Sequence, residues 1–210
     1  MIVKAPEILT TRISADDFFL YKLTVEVLID QMITLSVNYW QRGNFLLWTS
    51  QTWLSYAVQS ISALLNDIAL VIFLSPVIGE KSTIPTHMFE RGEFTLFGRI
   101  MCWFHKFVLY FAFGGFTASI SYVFGQLILG GKSYTLCDFQ TNFLLGAVSL
   151  GVSSNTRYQL LSGIEQRINK RTKATKLIIA VLRFLNNIMG AYLWVLLSVL
   201  KYCSNAKHNT

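Results

Sequence analysis

Apolar residues gather into five long runs, broken by short polar stretches. The first, Phe18 to Trp40, holds 23 residues; as a helix it reaches roughly 34 Å, enough to cross a bilayer. Tyr39 and Trp40 close it like an interfacial aromatic belt, and Gln41-Arg42-Gly43 makes a tight connection. Ser14, three residues before Asp17, resembles a capping box for its start. The second run, Phe45 to Ser75, exceeds one span. Its opening, with Gln51 between Trp48 and Trp53, belongs to the interface, and the span proper is Tyr56 to Leu74, stopped by Pro76.

Residues 76–93, rich in proline, glycine and mixed charge, read as a loop. The third run, Phe94 to Leu129, divides into an amphipathic interfacial approach carrying Arg99 and Lys106 and a span from Phe107 to Leu129. The fourth, Phe139 to Ile164, leads into a basic block at 167–176; the fifth, Leu177 to Leu200, returns across the bilayer. The pattern predicts an all-α, polytopic membrane bundle of four to five transmembrane helices with interfacial helical segments. Residues 18–202 form its single transmembrane domain, between a polar N-terminal segment at 1–17 and a polar tail at 203–210.

Composition agrees: 53% of the 210 residues are hydrophobic and only 14% charged, too apolar for a soluble domain of this length. The runs lack the alternation of barrel strands. The net charge of +7 sits in membrane-flanking loops, so the expected partners are the lipid bilayer, with anionic headgroups near 167–176, and no nucleic acid. By the positive-inside rule the N-terminus, the 76–93 loop and the basic block share the inner side. Three cysteines without CxxC spacing argue against a disulfide framework. The first residues show neither a secretory signal nor a convincing transit peptide.

Motifs for catalysis are missing: there is no HExxH or GxSxG, the three histidines are scattered, and Gly130-Gly131-Lys132-Ser133 lacks both the first glycine and the preceding strand of a phosphate loop. No catalytic residue, metal or cofactor is expected, and the chain is read as not an enzyme. What remains is a set of polar residues inside the apolar runs: Glu26, Asp30, Asp67, Asn155, Arg157, Arg183, Asn186 and Asn187. At a helix centre in hydrocarbon each charge costs roughly 2.5 to 3.5 kcal/mol on insertion scales, so each needs a partner or a purpose. Acids from the first two helices set against the arginines of the last two would neutralise the bundle. Two readings follow: buried glue fixing helix register, or a polar path that binds a small charged solute. Small residues at Gly114, Ala118, Ala147, Gly151 and Gly190 mark close helix packing.

At these same polar positions the chain resembles the plant reticulata-related proteins, a family of plastid inner-envelope membrane proteins. The matching stretches are FFLYKLTVEVLID at 18–30, NDIALVIFLSP at 66–76, HKFVLYFAFGGFTASISYVFGQLI at 105–128, LGVSSNTRYQLLSGIE at 150–165 and RFLNNIMGA at 183–191, in family order. The resemblance implies an address at the plastid inner envelope, with the N-terminus on the stromal side by the charge rule. It also implies a role tied to plastid development and to movement of a metabolite such as an amino acid. The alternative is a non-catalytic structural or accessory subunit, associating with other membrane subunits or with itself. The family supplies no catalytic residues, and the acidic or glycine-rich stretch of its plant members is not recognisable here.

Overall fold

The computed structural model describes residues 5–75, 83–128, 136–168 and 174–208, and all regular structure among them is helical. In chain order these are α1 (Ala5–Ala15), α2 (Phe19–Arg42), α3 (Ser50–Leu74), α4 (Leu96–Ile128), α5 (Leu136–Val148), α6 (Asn155–Glu165) and α7 (Thr175–His208). A π-helical turn, Ser149–Ser154, joins α5 to α6, so 136–165 is one helical stretch with a bulge at its centre.

Each boundary has a local cause. Gly43 ends α2 with φ +76, and its N–H donates to the Tyr39 carbonyl at 2.9 Å; glycine takes that conformation without a Cβ clash. The interfacial opening of the second run appears as a 3₁₀ turn, Phe45–Leu47, and the Thr49 hydroxyl caps α3 by accepting from Thr52 N–H at 3.3 Å. At its other end α3 stops at Leu74, before Pro76, and Ser75 is extended with ψ 140. Arg12 of α1 then donates to the carbonyls of Ile72 and Ser75, covering the negative end of that helix.

Three sequence expectations change. The N-terminal 1–17 segment is helical from Ala5 to Ala15, and no side chain caps α2: Ser14 lies within the first helix, and the Asp16 carboxylate accepts from Phe18 N–H at 3.1 Å in the turn between the two helices. No separate interfacial helix precedes a span at 107: Leu96–Ile128 is one unbroken helix of 33 residues. Its Arg99 turns back to the carbonyls of Met88 (2.7 Å) and Glu90 (2.9 Å), and its Lys106 donates to the Phe73 carbonyl. Loop and neighbouring helix thus satisfy both cations, and no bilayer surface is needed to explain them. Among the described residues, three helices rather than four or five are long and apolar enough to cross a membrane: Ser50–Leu74, Leu96–Ile128 and Thr175–Leu197. The shortfall lies in α2, which is long enough but carries Lys22, Glu26 and Asp30, and in the 136–165 stretch, which the π turn divides into helices of 13 and 11 residues and which carries Asn155, Arg157, Gln159 and Glu165.

Those polar residues lie inside because the helices close into a ring. In sequence order α2 packs on α3, α3 on α4, α4 on α5 and the π turn, α6 on α7, and α7 back on α2. Cross-bonds fix the directions: Asn38 to Gln59 and Gln31 to Ser60 set α2 antiparallel to α3, while Tyr21 to Lys176 and Glu26 to Arg183 set α2 parallel to α7. Outward faces are apolar, as with Leu28 and Met32 on α2, Phe116 and Phe124 on α4 and Phe184 and Ile188 on α7, all exposed. The tightest contact is α4 against α5. A Cβ on Gly114 would lie 2.5 Å from the Gly146 carbonyl, and one on Gly146 would collide with Gly114 and Ala118. Backbones meet there only because side chains are missing or small. Ala147 is fully buried and Gly151 rests on Phe111.

Candidate functional site

The polar set is brought together, though not as a uniform pairing of acids with arginines. At its centre Arg183 lies between two carboxylates. Nη1 reaches Glu26 Oε2 at 2.5 Å, while Nε and Nη2 hold Glu165 Oε1 and Oε2 at 2.8 and 3.1 Å. Lys22 extends the chain to Glu165 (3.0 Å) and Asp16 (2.7 Å). Glu26, Glu165 and Arg183 are all under 5% exposed; so deep an ion pair persists only when every member is matched.

Tyr158 completes the layer. Its hydroxyl donates to Glu26 Oε1 and lies 2.8 Å from the Asn187 side-chain amide. Asn187 Oδ1 accepts as well from the Asn186 side-chain Nδ2 at 3.4 Å, so the amide oxygen is the atom that faces the tyrosine.

Arg157 meets no acid at ion-pair distance among the described residues. Nη1 donates to the carbonyl of Asn186 (2.6 Å) and to its side-chain oxygen (3.1 Å), Nε to Ser153 (3.3 Å) and Nη2 to Ser154 (3.1 Å). The guanidinium packs over Gly190, where a Cβ would stand 2.7 Å from Nη2. Gly190 is therefore more than a helix-packing position: it makes room for Arg157. Its hydrogen bonds go to neutral oxygens, while Asp30 and Glu26 act on it from α2 without touching it.

Between the helices lies a cavity of about 670 Å³. Asp30, Asp67, Arg157, Tyr158 and Asn187 line its inner end, and Asn38, Gln59, Ser121, Asn142 and Trp194 continue outward to the exposed Gln41 and Val199. The π turn contributes Ser149, Leu150 and Ser154 to the wall; such bulges place backbone and side chains where a regular helix cannot, and they recur at functional sites. Asp67 is 5% exposed, and its Oδ2 has no hydrogen-bond partner. On the other side of the Tyr158 and Arg183 layer is a second pocket of about 200 Å³, lined by Asp16, Lys22, His87, Glu90 and Glu165. Leu70 and Tyr158 line both. Burial pushes the His87 imidazole down to about 4, against the opposing pull of Glu90.

Asn155 lies elsewhere. It donates to the Trp103 carbonyl at 3.1 Å and accepts from Gln159 at 2.7 Å, while Gln159 accepts from Met88 N–H at 2.8 Å. This second network ties α6 to α4 and to the 83–93 loop and does not line the cavity. Glu165, Lys22 and Tyr158 were not singled out from sequence. Glu165 abuts the basic block, and its clue is that it is the one acid beside so many cations. Of that block, residues 169–173 lie outside the described residues; Arg167 donates to the Gly163 carbonyl at 3.3 Å.

Comparison with known proteins adds the relationship. Three curated proteins of Arabidopsis thaliana are similar over nine tenths of this chain. Protein RETICULATA-RELATED 1, chloroplastic, is 27% identical over 92% of this chain and 52% of its own length. Protein RETICULATA-RELATED 3, chloroplastic, is 26% identical over 90% and 61%, and Protein RETICULATA, chloroplastic, 25% identical over 92% and 52%. The chain thus spans about half to three fifths of the length of these relatives. No solved structure matches it. The family model described as Protein RETICULATA-related matches residues 11–164, which carry Glu26, Asp30, Asp67, Asn155 and Arg157 and stop one residue short of Glu165, and the chain belongs to the reticulata-related family.

Proposed function

We propose that this chain is an integral membrane protein of the plastid, at the inner envelope with its N-terminus toward the stroma, and that it binds and passes a small charged metabolite such as an amino acid. It carries out no chemistry on that solute. One observation carries the reading: a cavity of about 670 Å³ inside the helix ring, with Asp30 of α2 and Asp67 of α3 on one side and Arg157, hydrogen-bonded only to neutral oxygens, on another. Ionisable residues within a membrane bundle ordinarily mark a substrate or ion path, and a packed bundle needs no cavity of this size. The Glu26–Arg183–Glu165–Tyr158 layer then acts as the barrier between the cavity and the smaller pocket behind it. The chloroplastic relatives support the address.

The test is flux in proteoliposomes across candidate amino acids and organic anions, with Asp67→Asn and Arg157→Gln beside the parent. Loss of one solute's flux in the variants supports the proposal; equal flux in all three proteins, for every solute, refutes it.

A second reading, a non-transporting structural or accessory subunit, is favoured by the saturation of the Arg183 layer, whose members answer one another with no ligand needed. Gentle solubilisation followed by native electrophoresis separates the two: migration as a lone monomer counts against the subunit.

A further inference from the structure

The Asp67 carboxylate stands apart from the other buried acids. Glu26 and Glu165 share Arg183, and Asp16 has Lys22. Asp67 is nearly as deeply buried, lines the inner end of the large cavity, and has an oxygen without any donor. From α2 it faces Asp30 and Glu26, from α6 Tyr158, and from α7 Arg183, which Glu26 and Glu165 already occupy. Arg157, at the same end of the cavity, bonds Asn186 and two serines. From α4 the cavity receives Gly114, Ala118, Ser121 and Tyr122, none of them charged. Asn66, its neighbour in sequence, accepts from Thr117 at 2.9 Å.

Burying a carboxylate without a partner is among the costliest arrangements in a protein, and the ordinary remedy is to bind a cation. Two carboxylates against one guanidinium at this end of the cavity make the same demand. A metal ion would need several oxygens converging on it, and no group of three or more His, Cys, Asp or Glu side chains suited to a metal forms among the described residues. A proton needs a single acceptor, and the cavity gives it a way in and out.

We propose that Asp67 is a proton-carrying site at the inner end of the cavity, and that passage of solute is coupled to its protonation. The coupling rests on the transport reading above; the proton site does not. The carboxylate takes up a proton from hydronium that reaches it through water in the cavity, leaving water and the neutral acid, and gives it back to that water when a cationic group of the solute draws near.

Infrared spectroscopy of the whole protein in lipid nanodiscs decides the first part. At neutral pH the parent shows the C=O stretch of a protonated carboxylic acid. That band is absent from Asp67→Asn, shifted in Asp67→Glu and retained in Asp30→Asn. No such band in the parent, or its survival in Asp67→Asn, overturns the site; its loss on replacing choline chloride with sodium chloride overturns the proton in favour of a metal ion. Asparagine mimics the neutral acid, so the variant retains the fold, and Asp67→Glu guards against one that does not. For coupling, an outward proton gradient accelerates uptake severalfold in parent proteoliposomes and leaves any residual uptake by Asp67→Asn unchanged. Uptake indifferent to the gradient in the parent overturns the coupling alone. Parent vesicles that take up no solute refute the transport reading and the coupling with it, while the infrared band still decides the site.

Discussion

Replacing Arg183 with methionine removes the one cation that two buried acids share. Glu165 loses both of its contacts to the guanidinium but keeps Lys22 at 3.0 Å. Glu26, fully buried, keeps only the donated proton of Tyr158 and has no other cation in contact among the described residues. The perturbation therefore orphans one carboxylate rather than two, and the expected loss is about 3 to 5 kcal/mol, the usual cost of breaking a buried pair. Glu26→Gln is milder, about 1 to 3 kcal/mol, because Arg183 stays bidentate with Glu165 and only a charged hydrogen bond is lost. Joined in one protein, the two changes remove the unpaired charge together, so the double variant is more stable than Arg183→Met alone. The measurement is unfolding in mixed micelles titrated with denaturing detergent, read by circular dichroism, for the parent, both single variants and the double. A coupling of at least about 1 kcal/mol is predicted. Strict additivity, or an Arg183→Met protein as stable as the parent, would refute the claim that this layer is held by mutual neutralisation.

Gly190→Ala separates packing from binding: the Cβ, 2.7 Å from Arg157 Nη2, displaces the end of a flexible side chain, so stability changes by less than about 1 kcal/mol while solute flux falls. Gly146→Ala presses on the Gly114 backbone, which cannot yield as a side chain does, and costs about 1 to 3 kcal/mol in the same unfolding assay. His87, buried beside Glu90 and near Lys22, Glu165 and Arg167, is held at about 4 against an ordinary 6.5. The unfolded chain thus binds the extra proton first, and folded stability falls as pH drops from 6.5 to about 4, by up to about 3 kcal/mol. Thermal unfolding of the parent and His87→Gln across that window tests it; the variant loses less stability on acidification, and parallel curves would contradict the assignment.

The sequence made the helices legible because their apolar runs are long and their ends carry glycine, proline or a capping hydroxyl. The buried charges were legible for the same reason: an acid or arginine in such a run has nowhere inexpensive to go. Partner choice was not legible. Arg157 was expected to meet an acid and bonds a carbonyl instead, because the π turn at 149–154 resets the face that α6 presents. The stretch SLGVSS, small and weakly patterned, gives no periodic sign of that widened turn. Asn155, two residues before Arg157, is carried toward α4 and away from the cavity. Glu165 escaped notice because a helix-end acid beside a basic block is normally solvated, and only the closing of the ring puts Arg183 beside it. In α1, Thr10 and Thr11 and a sparse apolar pattern hid an element that Arg12 fastens to the end of α3.

The central claim is a polar cavity that admits water from one face and is shut from the other by the Arg183 layer. Its most direct test is labelling with a membrane-impermeant maleimide in oriented membranes, on a background with Cys102, Cys137 and Cys203 replaced. Ser62→Cys, on the cavity wall, is predicted to react from one face only, and Phe116→Cys, on the exposed apolar face of α4, from neither. A Ser62→Cys thiol that reacts from neither face, or equally from both, would contradict the account.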